Sequence, residues 1–254
     1  MILVPQLYLK NGRVLLHEGT TSPLVQEDPV ATAQAMKDSG AEALHIVDLG
    51  VPPVGASPHM QAIKQIHDDL GLACYVGGGF KTTQSMEPYI AAGVEIIALG
   101  SVAYQQPAFL EEACKKFPAR IATHIDVKAG RVTIPGYTVV ANKTAFDYAE
   151  RFVEGGVRFI FYSEVGANGF IGEEHYDKIS AFCKRVTARV ICTSEVSSMP
   201  DIERLTRIAV GAPRLDCLVL GKSLFEGRVD LRAAVAMVSD VMLASGDEST
   251  MTEM

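Results

Sequence analysis

The chain has 254 residues, of which 48% are hydrophobic and 21% are charged, so it can build a full globular core. Its formal net charge of -7 and pI of about 5.4 argue against a nucleic-acid binder, because such proteins usually present a basic surface. No apolar run is long enough to cross a bilayer, and Pro5 and Lys10 interrupt the apolar start. We therefore expect neither a membrane span nor a signal peptide, and a cytoplasmic location.

Short apolar runs alternate with amphipathic stretches along the whole chain. The apolar runs predict eight strands, at residues 2–8, 43–48, 72–77, 95–99, 120–126, 157–163, 188–193 and 215–220. The amphipathic stretches predict helices, among them residues 29–39, 60–70, 83–92, 107–116, 144–154 and 200–209. This alternation predicts an α/β fold, a closed (β/α)8 TIM barrel. An open doubly wound sheet is the alternative, and it fits less well because no Gly-x-Gly-x-x-Gly motif follows the first strand.

The two halves of the chain resemble each other. Four segments recur in the same order, namely 7–14 with 125–132, 45–50 with 161–166, 76–80 with 192–196, and 99–101 with 220–222. Their offsets are 118, 116, 116 and 121 residues. Such a repeat predicts a duplication. We expect a single barrel domain over residues 1–238, built of half-barrels of about 1–118 and 119–238, and a polar, flexible tail over 239–254.

The cysteines and histidines give no sign of a metal site. The five cysteines are odd in number and none forms a Cys-x-x-Cys pair, which argues against a disulfide framework or a zinc site. Cys74, Cys192 and Cys217 lie in apolar runs, as small core residues do. Four histidines lack the spacing of metal ligands, namely His17, His59, His67 and His175. We therefore expect no metal.

Glycines follow the third and fourth predicted strands. In a barrel of this kind the site forms at the C-terminal ends of the strands, where glycines allow an anion to approach the backbone. The first N–H groups of the next helix can then bind a phosphate. This pattern predicts a phosphate site at Gly78, Gly79, Gly100 and Ser101. Tight turns without a ligand are the alternative.

The matching positions of the second half predict a second phosphate site at Ser194, Gly221 and Lys222. In the second half, Ser194 and Glu195 stand where the first half has Gly78 and Gly79, and Glu195 brings a negative charge. A carboxylate beside a phosphate is unfavourable unless it is neutralised. Lys222 could pair with Glu195, or it could bind the phosphate itself.

Asp126 ends the fifth predicted strand, where a carboxylate can act as a general acid or base. Its partner in the repeat is Tyr8, whose phenol is a poor base near neutral pH but can donate a hydrogen bond or a proton. His124 precedes Asp126 by two residues and therefore shares its face of the strand. A residue that caps the following turn is the alternative for Asp126.

Three polar residues follow the second and sixth predicted strands. Asp48 and Glu164 are related by the repeat, and either contact with a substrate or a structural role in orienting loops would suit them. Asn168 lies in an Asn-Gly pair, which is also an ordinary turn signal. His45 lies inside an apolar run and fits a core histidine.

At these residues the chain resembles the histidine-biosynthesis (β/α)8 barrels, and among them the phosphoribosylformimino-aminoimidazole carboxamide ribotide (ProFAR) isomerase family. The resemblance runs from Val4 to about Gly227. It is carried by residues 4–5, 9–13, 28–29, 44–49, 76–80, 99–103, 125–128 and 221–227. The segments His-Ile-Val-Asp-Leu at 45–49 and Gly-Lys-Ser-Leu-Phe-Glu-Gly at 221–227 favour this family over the related cyclase subunit.

The resemblance implies an Amadori rearrangement, in which an aminoaldose with two phosphates becomes an aminoketose without a metal or an organic cofactor. In the family, an Asp on the first strand and an Asp after the sixth do this work, supported by an Asp on the fifth. Here these positions are Tyr8, Asn168 and Asp126, so only the last one matches. Lys81 follows the third-strand glycines, where the family usually has Arg. Lysine binds an anion as a point charge, without the bidentate fork of arginine.

Three hypotheses follow for the function. The first is an isomerase of this family, acting on a phosphorylated small molecule, with proton transfer by Asp126 and His124. The second is a related enzyme for a different phosphosugar with one phosphate, which the loss of the second glycine pair motivates. The third is a non-catalytic barrel that binds a phosphorylated ligand. Under each of them we expect a monomer or a small homo-oligomer that binds neither nucleic acid nor membrane.

Overall fold

The computed structural model describes residues 1–15, 24–25, 28–134, 143–166 and 169–251, with the backbone alone for 24–25 and 246–251. Its centre is a barrel of eight parallel strands. These are β1 (Ile2–Lys10), β2 (Ala43–Asp48), β3 (Ala73–Gly78), β4 (Ile96–Leu99), β5 (Ile121–Lys128), β6 (Phe159–Val165), β7 (Arg189–Cys192) and β8 (Leu215–Leu220). The barrel closes where β1 pairs with β8, Ile2 lying beside Cys217 and Val4 beside Val219. The predicted (β/α)8 barrel is confirmed.

Helices surround the barrel and connect its strands. They are α1 (Pro29–Asp38), α2 (Met60–Asp68), α3 (Thr83–Ala91), α4 (Ser101–Gln105), α5 (Pro107–Lys116), α6 (Ala145–Glu154), α7 (Glu173–Arg185), α8 (Met199–Gly211), α9 (Lys222–Phe225) and α10 (Leu231–Met251). The six helices predicted from periodicity are all present. Helix α7 is not among them, although its sequence begins with two acidic residues and ends with two basic ones, which suits the helix dipole.

Both faces of the strands are buried, because one side points into the barrel and the other packs against the helices. An inner cluster fills the barrel, with Val4, Ala98, Ala122, Phe161 and Ile191 among its members. Their sequence neighbours on each strand belong to the outer cluster, beneath the helices. A residue's place in this alternation therefore decides whether its side chain can reach the mouth of the barrel.

The two halves share backbone details as well as sequence. A tight turn follows β1 at Asn11-Gly12, with φ of 53° and 74°, and another follows β5 at Ala129-Gly130, with φ of 50° and 74°. Each turn leads into a short antiparallel strand, Arg13–Leu15 or Arg131–Thr133. Positive φ at consecutive residues suits the type I′ turns that join such strands. The exact limits of the two half-barrels stay a prediction.

All five cysteines are buried and unpaired, including the three assigned to the core. Helix α10 runs through most of the segment expected to form a polar tail, and flexibility of that segment stays a prediction. Within the described part of the chain, none of the helices combines the length and the apolar character needed to span a membrane.

Candidate active site

Asp126 lies at the C-terminal end of β5, on the inner face that Ala122 also occupies. Its Oδ1 accepts a hydrogen bond of 2.5 Å from Oγ of Ser163, and the register of β5 against β6 pairs the same two residues. The carboxylate is therefore held in one orientation at the mouth of the barrel. Ser163 could not be predicted from the sequence, since nothing in the sequence gives the register between β5 and β6.

His124 is the inward-facing residue of β5 that precedes Asp126, so it lies deeper in the barrel. Its ring centroid is 4.8 Å from that of Phe161 and 6.1 Å from that of His45. Burial lowers the pKa of His124, and the nearby Asp126 opposes this in part. Burial and the neighbouring His124 also lower the pKa of His45, to about 3. Both imidazoles are therefore neutral near pH 7, and His45 is the core histidine that its sequence context predicted.

Tyr8 is half-buried and occupies the face of β1 that carries Val4 of the inner cluster. Because β1 and β5 lie four strands apart in a closed barrel of eight, Tyr8 and Asp126 face each other across its mouth. The structure thus places the two repeat-related residues on opposite walls. Asn168, which stands where the family has its sixth-strand Asp, lies outside the described residues.

The third and fourth strands end in an open arrangement of backbone. A Cβ atom on Gly79 or on Gly100 would meet no atom within 4 Å, whereas one on Gly78 would lie 2.7 Å from the carbonyl oxygen of Asp48. Gly100 is the N-cap of α4, which begins at Ser101 and receives no hydrogen bond from a capping side chain. Lys81 lies nearby in sequence and is exposed. The exposed backbone here has the form that an anion requires.

The seventh and eighth strands end in a different arrangement. The carboxylate of Glu195 accepts hydrogen bonds from the backbone N–H groups of Lys222, at 3.3 Å, and Ser223, at 2.9 Å. The ammonium group of Lys222 lies 3.5 Å from Glu226. Of the two alternatives for Lys222, the side-chain pair with Glu195 is not formed, and the two residues meet through the backbone N–H of Lys222. Oγ of Ser194 accepts a hydrogen bond from the N–H of Glu164, and Gly221 is the N-cap of α9.

Asp48 and Glu164 lie on the outer faces of β2 and β6, on the side of the helices. The carboxylate of Asp48 accepts hydrogen bonds from Tyr89, at 2.6 Å, and from His59, at 2.7 Å. Burial alone raises the pKa of Asp48, but the hydrogen bonds, led by the one from His59, lower it below the ordinary range. The carboxylate of Glu164 accepts a hydrogen bond from Tyr162, and burial raises the pKa of Glu164. These contacts support the structural alternative for both carboxylates.

His59 and His175 are a third repeat-related pair, predicted from the sequence only to lack the spacing of metal ligands. They lie 116 residues apart, the offset that also relates Asp48 to Glu164. Both are buried next to the start of a helix. His59 accepts a hydrogen bond from the backbone N–H of Gly12, and His175 accepts one from the backbone N–H of Gly172. Applying the repeat offset to the histidines would have identified these loop anchors.

Among the residues that the structure describes, no three His, Cys, Asp or Glu side chains converge as a metal ion would require. The groups gathered at the mouth of the barrel are a carboxylate, two neutral imidazoles behind it, a phenol on the opposite wall and exposed backbone N–H groups. This set can transfer protons and bind an anion. That the protein uses neither metal nor cofactor stays a prediction.

Comparisons with known proteins cover nearly the whole chain. The profile of the histidine biosynthesis protein family matches residues 2–230. A protein of Chelativorans sp. (strain BNC1) is 33% identical over 241 residues, which are 94% of this chain and 98% of the relative. A protein of Geotalea daltonii is 33% identical over 240 residues, which are 93% and 97% of the two chains. Both relatives are named isomerases of an imidazole-4-carboxamide that carries a 5-phosphoribosyl and a 5-phosphoribosylamino group.

Proposed function

The chain belongs to the histidine biosynthesis protein family, and on that premise we propose that it catalyses the aldose–ketose isomerisation for which its relatives are named. The substrate would be ProFAR, the imidazole carboxamide with two phosphoribosyl groups. The relatives match over nearly their full length, so the proposal concerns the whole barrel and not a shared fragment.

The observation that carries the proposal is the placement of Asp126. An Amadori rearrangement needs a group that can take a proton from carbon 2 of an open-chain sugar imine. The carboxylate of Asp126 stands at the C-terminal mouth of the barrel, oriented by Ser163, where (β/α)8 enzymes form their active sites. A carboxylate at this place, with one oxygen fixed by a hydrogen bond, meets this need.

The proton balance assigns further roles to the described residues. Ring opening requires one proton at the ring oxygen, and we assign its donation to the phenol of Tyr8 on the wall opposite Asp126. Asp126 then takes the proton from carbon 2 of the iminium, which leaves the enaminol. Asp126 returns its proton to carbon 1 of the enaminol, the 2-hydroxyl gives up the proton that restores the phenol of Tyr8, and the product is the aminoketose. Because burial lowers the pKa of His124, we assign the transferred proton to Asp126 and not to the imidazole below it.

One phosphate of the substrate would bind at the ends of β3 and β4, on the N–H groups next to Gly79 and Ser101, with Lys81 nearby. The second phosphate would lie at Ser194, Gly221 and Lys222. The carboxylate of Glu195 lies beside this place, where it accepts a hydrogen bond from the N–H of Lys222. We further propose a cytoplasmic enzyme, monomeric or a small homo-oligomer, that binds no nucleic acid.

The two alternatives have less support. An enzyme for a sugar with a single phosphate is motivated by Glu195, and a non-catalytic barrel by the absence of the family's first-strand and sixth-strand Asp. The relatives named above match end to end and carry the isomerase name, which favours the family reaction over both.

The test is turnover of ProFAR by the purified protein, coupled to the next enzyme of the pathway. Because a positioned acid or base typically contributes about 10²- to 10⁴-fold, we expect Asp126→Asn to lower kcat by at least about 100-fold. The control is Asp177→Asn, the same chemical change on the exposed face of α7. Turnover that is unaffected by Asp126→Asn, or no turnover by the folded wild-type protein, would contradict the proposal.

A further inference from the structure

The carboxylate of Glu195 takes the place at the second half of the barrel that a bound anion would take. Both of its oxygens are engaged, Oε2 with the N–H of Lys222 at 3.3 Å and Oε1 with the N–H of Ser223 at 2.9 Å. These are the first N–H groups of α9, which have no partner within the helix. The hydroxyl of Ser223 is also fully buried, and no hydrogen-bond partner for it lies in the described part of the chain.

The internal repeat shows what this arrangement looks like without the carboxylate. Glu195 corresponds to Gly79 at the offset of 116, and Lys222 corresponds to Ser101 at the offset of 121. In the first half the glycine has no side chain, a Cβ there would meet nothing within 4 Å, and α4 lacks a capping side chain. The same strand ends are therefore open in one half and filled by a carboxylate in the other.

A carboxylate and a phosphate cannot share these two N–H groups. Both are anions that accept the same hydrogen bonds, and at contact distance like charges repel. The basic side chains close to this strand end do not neutralise Glu195. The ammonium of Lys222 lies 3.5 Å from Glu226, and the guanidinium of Arg228 donates to Glu226 at 2.6 Å. A phosphate that arrives here must displace the side chain of Glu195.

We propose that Glu195 is a specificity-determining residue that competes, as an internal anion, with the second phosphate of the substrate. The inference rests on the proposed function, because it takes ProFAR with its two phosphates as the substrate. The carboxylate weakens the binding of a doubly phosphorylated ligand and leaves the binding of a singly phosphorylated one unchanged. The protein therefore prefers doubly over singly phosphorylated ligands less strongly than a barrel with two open phosphate sites would.

The experiment measures the Kd of ProFAR and of ribose 5-phosphate by titration calorimetry for two proteins, one with Asp126→Asn alone, which suppresses turnover of ProFAR, and one that adds Glu195→Gly. This substitution restores the residue that the first half has at the matching position. We expect it to lower the Kd of ProFAR about tenfold, which is the scale of one charge-assisted hydrogen bond regained. The Kd of ribose 5-phosphate should change by less than about twofold. Glu195→Gln keeps the shape of the side chain without its charge, and we expect it to tighten ProFAR to a smaller extent.

Two further variants complete the test. Gly79→Glu places a carboxylate in the first half and should raise the Kd of both ligands. Glu203→Gln removes an exposed charge on α8 and should leave both Kd values unchanged. An unchanged Kd of ProFAR in both Glu195 variants would overturn the inference, as would equal tightening of the two ligands. Tighter ProFAR binding, together with no turnover by the wild-type protein, would remove the proposed function and leave the role of Glu195 standing.

Discussion

Ser163 donates a 2.5 Å hydrogen bond to Asp126 from the neighbouring strand, at the position where the register of β5 and β6 places the two residues side by side. Ser163 is buried, whereas Asp126 is half-buried and reaches the mouth of the barrel. The hydroxyl therefore fixes one oxygen of the carboxylate from the neighbouring strand. This makes Ser163 a positioning residue for the proposed general base.

Removal of this hydroxyl should lower the rate more than the affinity. A hydrogen bond to a charged group is worth about 1.5–3 kcal/mol, so we expect Ser163→Ala to lower kcat about 10- to 100-fold with a smaller change in KM. Steady-state kinetics with ProFAR would measure this. Ser163→Thr keeps the hydroxyl and serves as the control. Equal kcat values for the alanine and threonine variants would show that Ser163 does not position Asp126.

The buried His45 should make the fold less stable in mild acid. Its pKa in the folded protein is about 3 because burial disfavours the imidazolium, while in the unfolded chain it returns to 6.5. The unfolded state therefore binds the extra proton below pH 6.5, and stability falls as the pH drops. From pH 7.5 to 5.5 this one group should cost about 1.4 kcal/mol of the free energy of unfolding.

Urea denaturation at the two pH values tests this, because His45→Gln should reduce the acid-induced loss by about 1.4 kcal/mol relative to the wild type. The control is His67→Gln, since His67 is 31% exposed on α2. The same pH dependence in wild type and His45→Gln would mean that His45 already carries its proton in the folded state.

Two adjacent glycines at the end of β3 should respond differently to alanine. A Cβ on Gly78 would lie 2.6 Å from Val51 and 2.7 Å from the carbonyl oxygen of Asp48, while one on Gly79 would meet nothing within 4 Å. We expect Gly78→Ala to destabilise the fold by about 1–3 kcal/mol, as overpacking does. Gly79→Ala should stay within about 0.5 kcal/mol of the wild type.

Thermal and urea unfolding of the two variants provide the measurement, and each variant serves as the control for the other. A similar loss of stability in both would point to backbone conformation as the reason for the glycines. No loss in Gly78→Ala would mean that the loop holding Val51 moves away to make room.

Much of the architecture could be predicted from the sequence. The apolar runs gave all eight strands, and the repeat offsets related Asp126 to Tyr8 and Asp48 to Glu164. The family followed from segments such as residues 45–49 and 221–227, because these preserve both the order of residues and their place at strand ends. Local patterns of this kind survive because each strand and turn depends mainly on its own few residues.

Only the tertiary structure decided which way the polar side chains at the strand ends point. A parallel strand buried on both faces reads as one apolar run, so its sequence does not show that Asp126 faces inward and Asp48 outward. The register that brings Ser163 to Asp126 depends on pairing between strands far apart in sequence. The carboxylate of Glu195 likewise reaches N–H groups 27 and 28 residues further along the chain, because β7 and β8 pair in parallel on either side of the connecting helix α8.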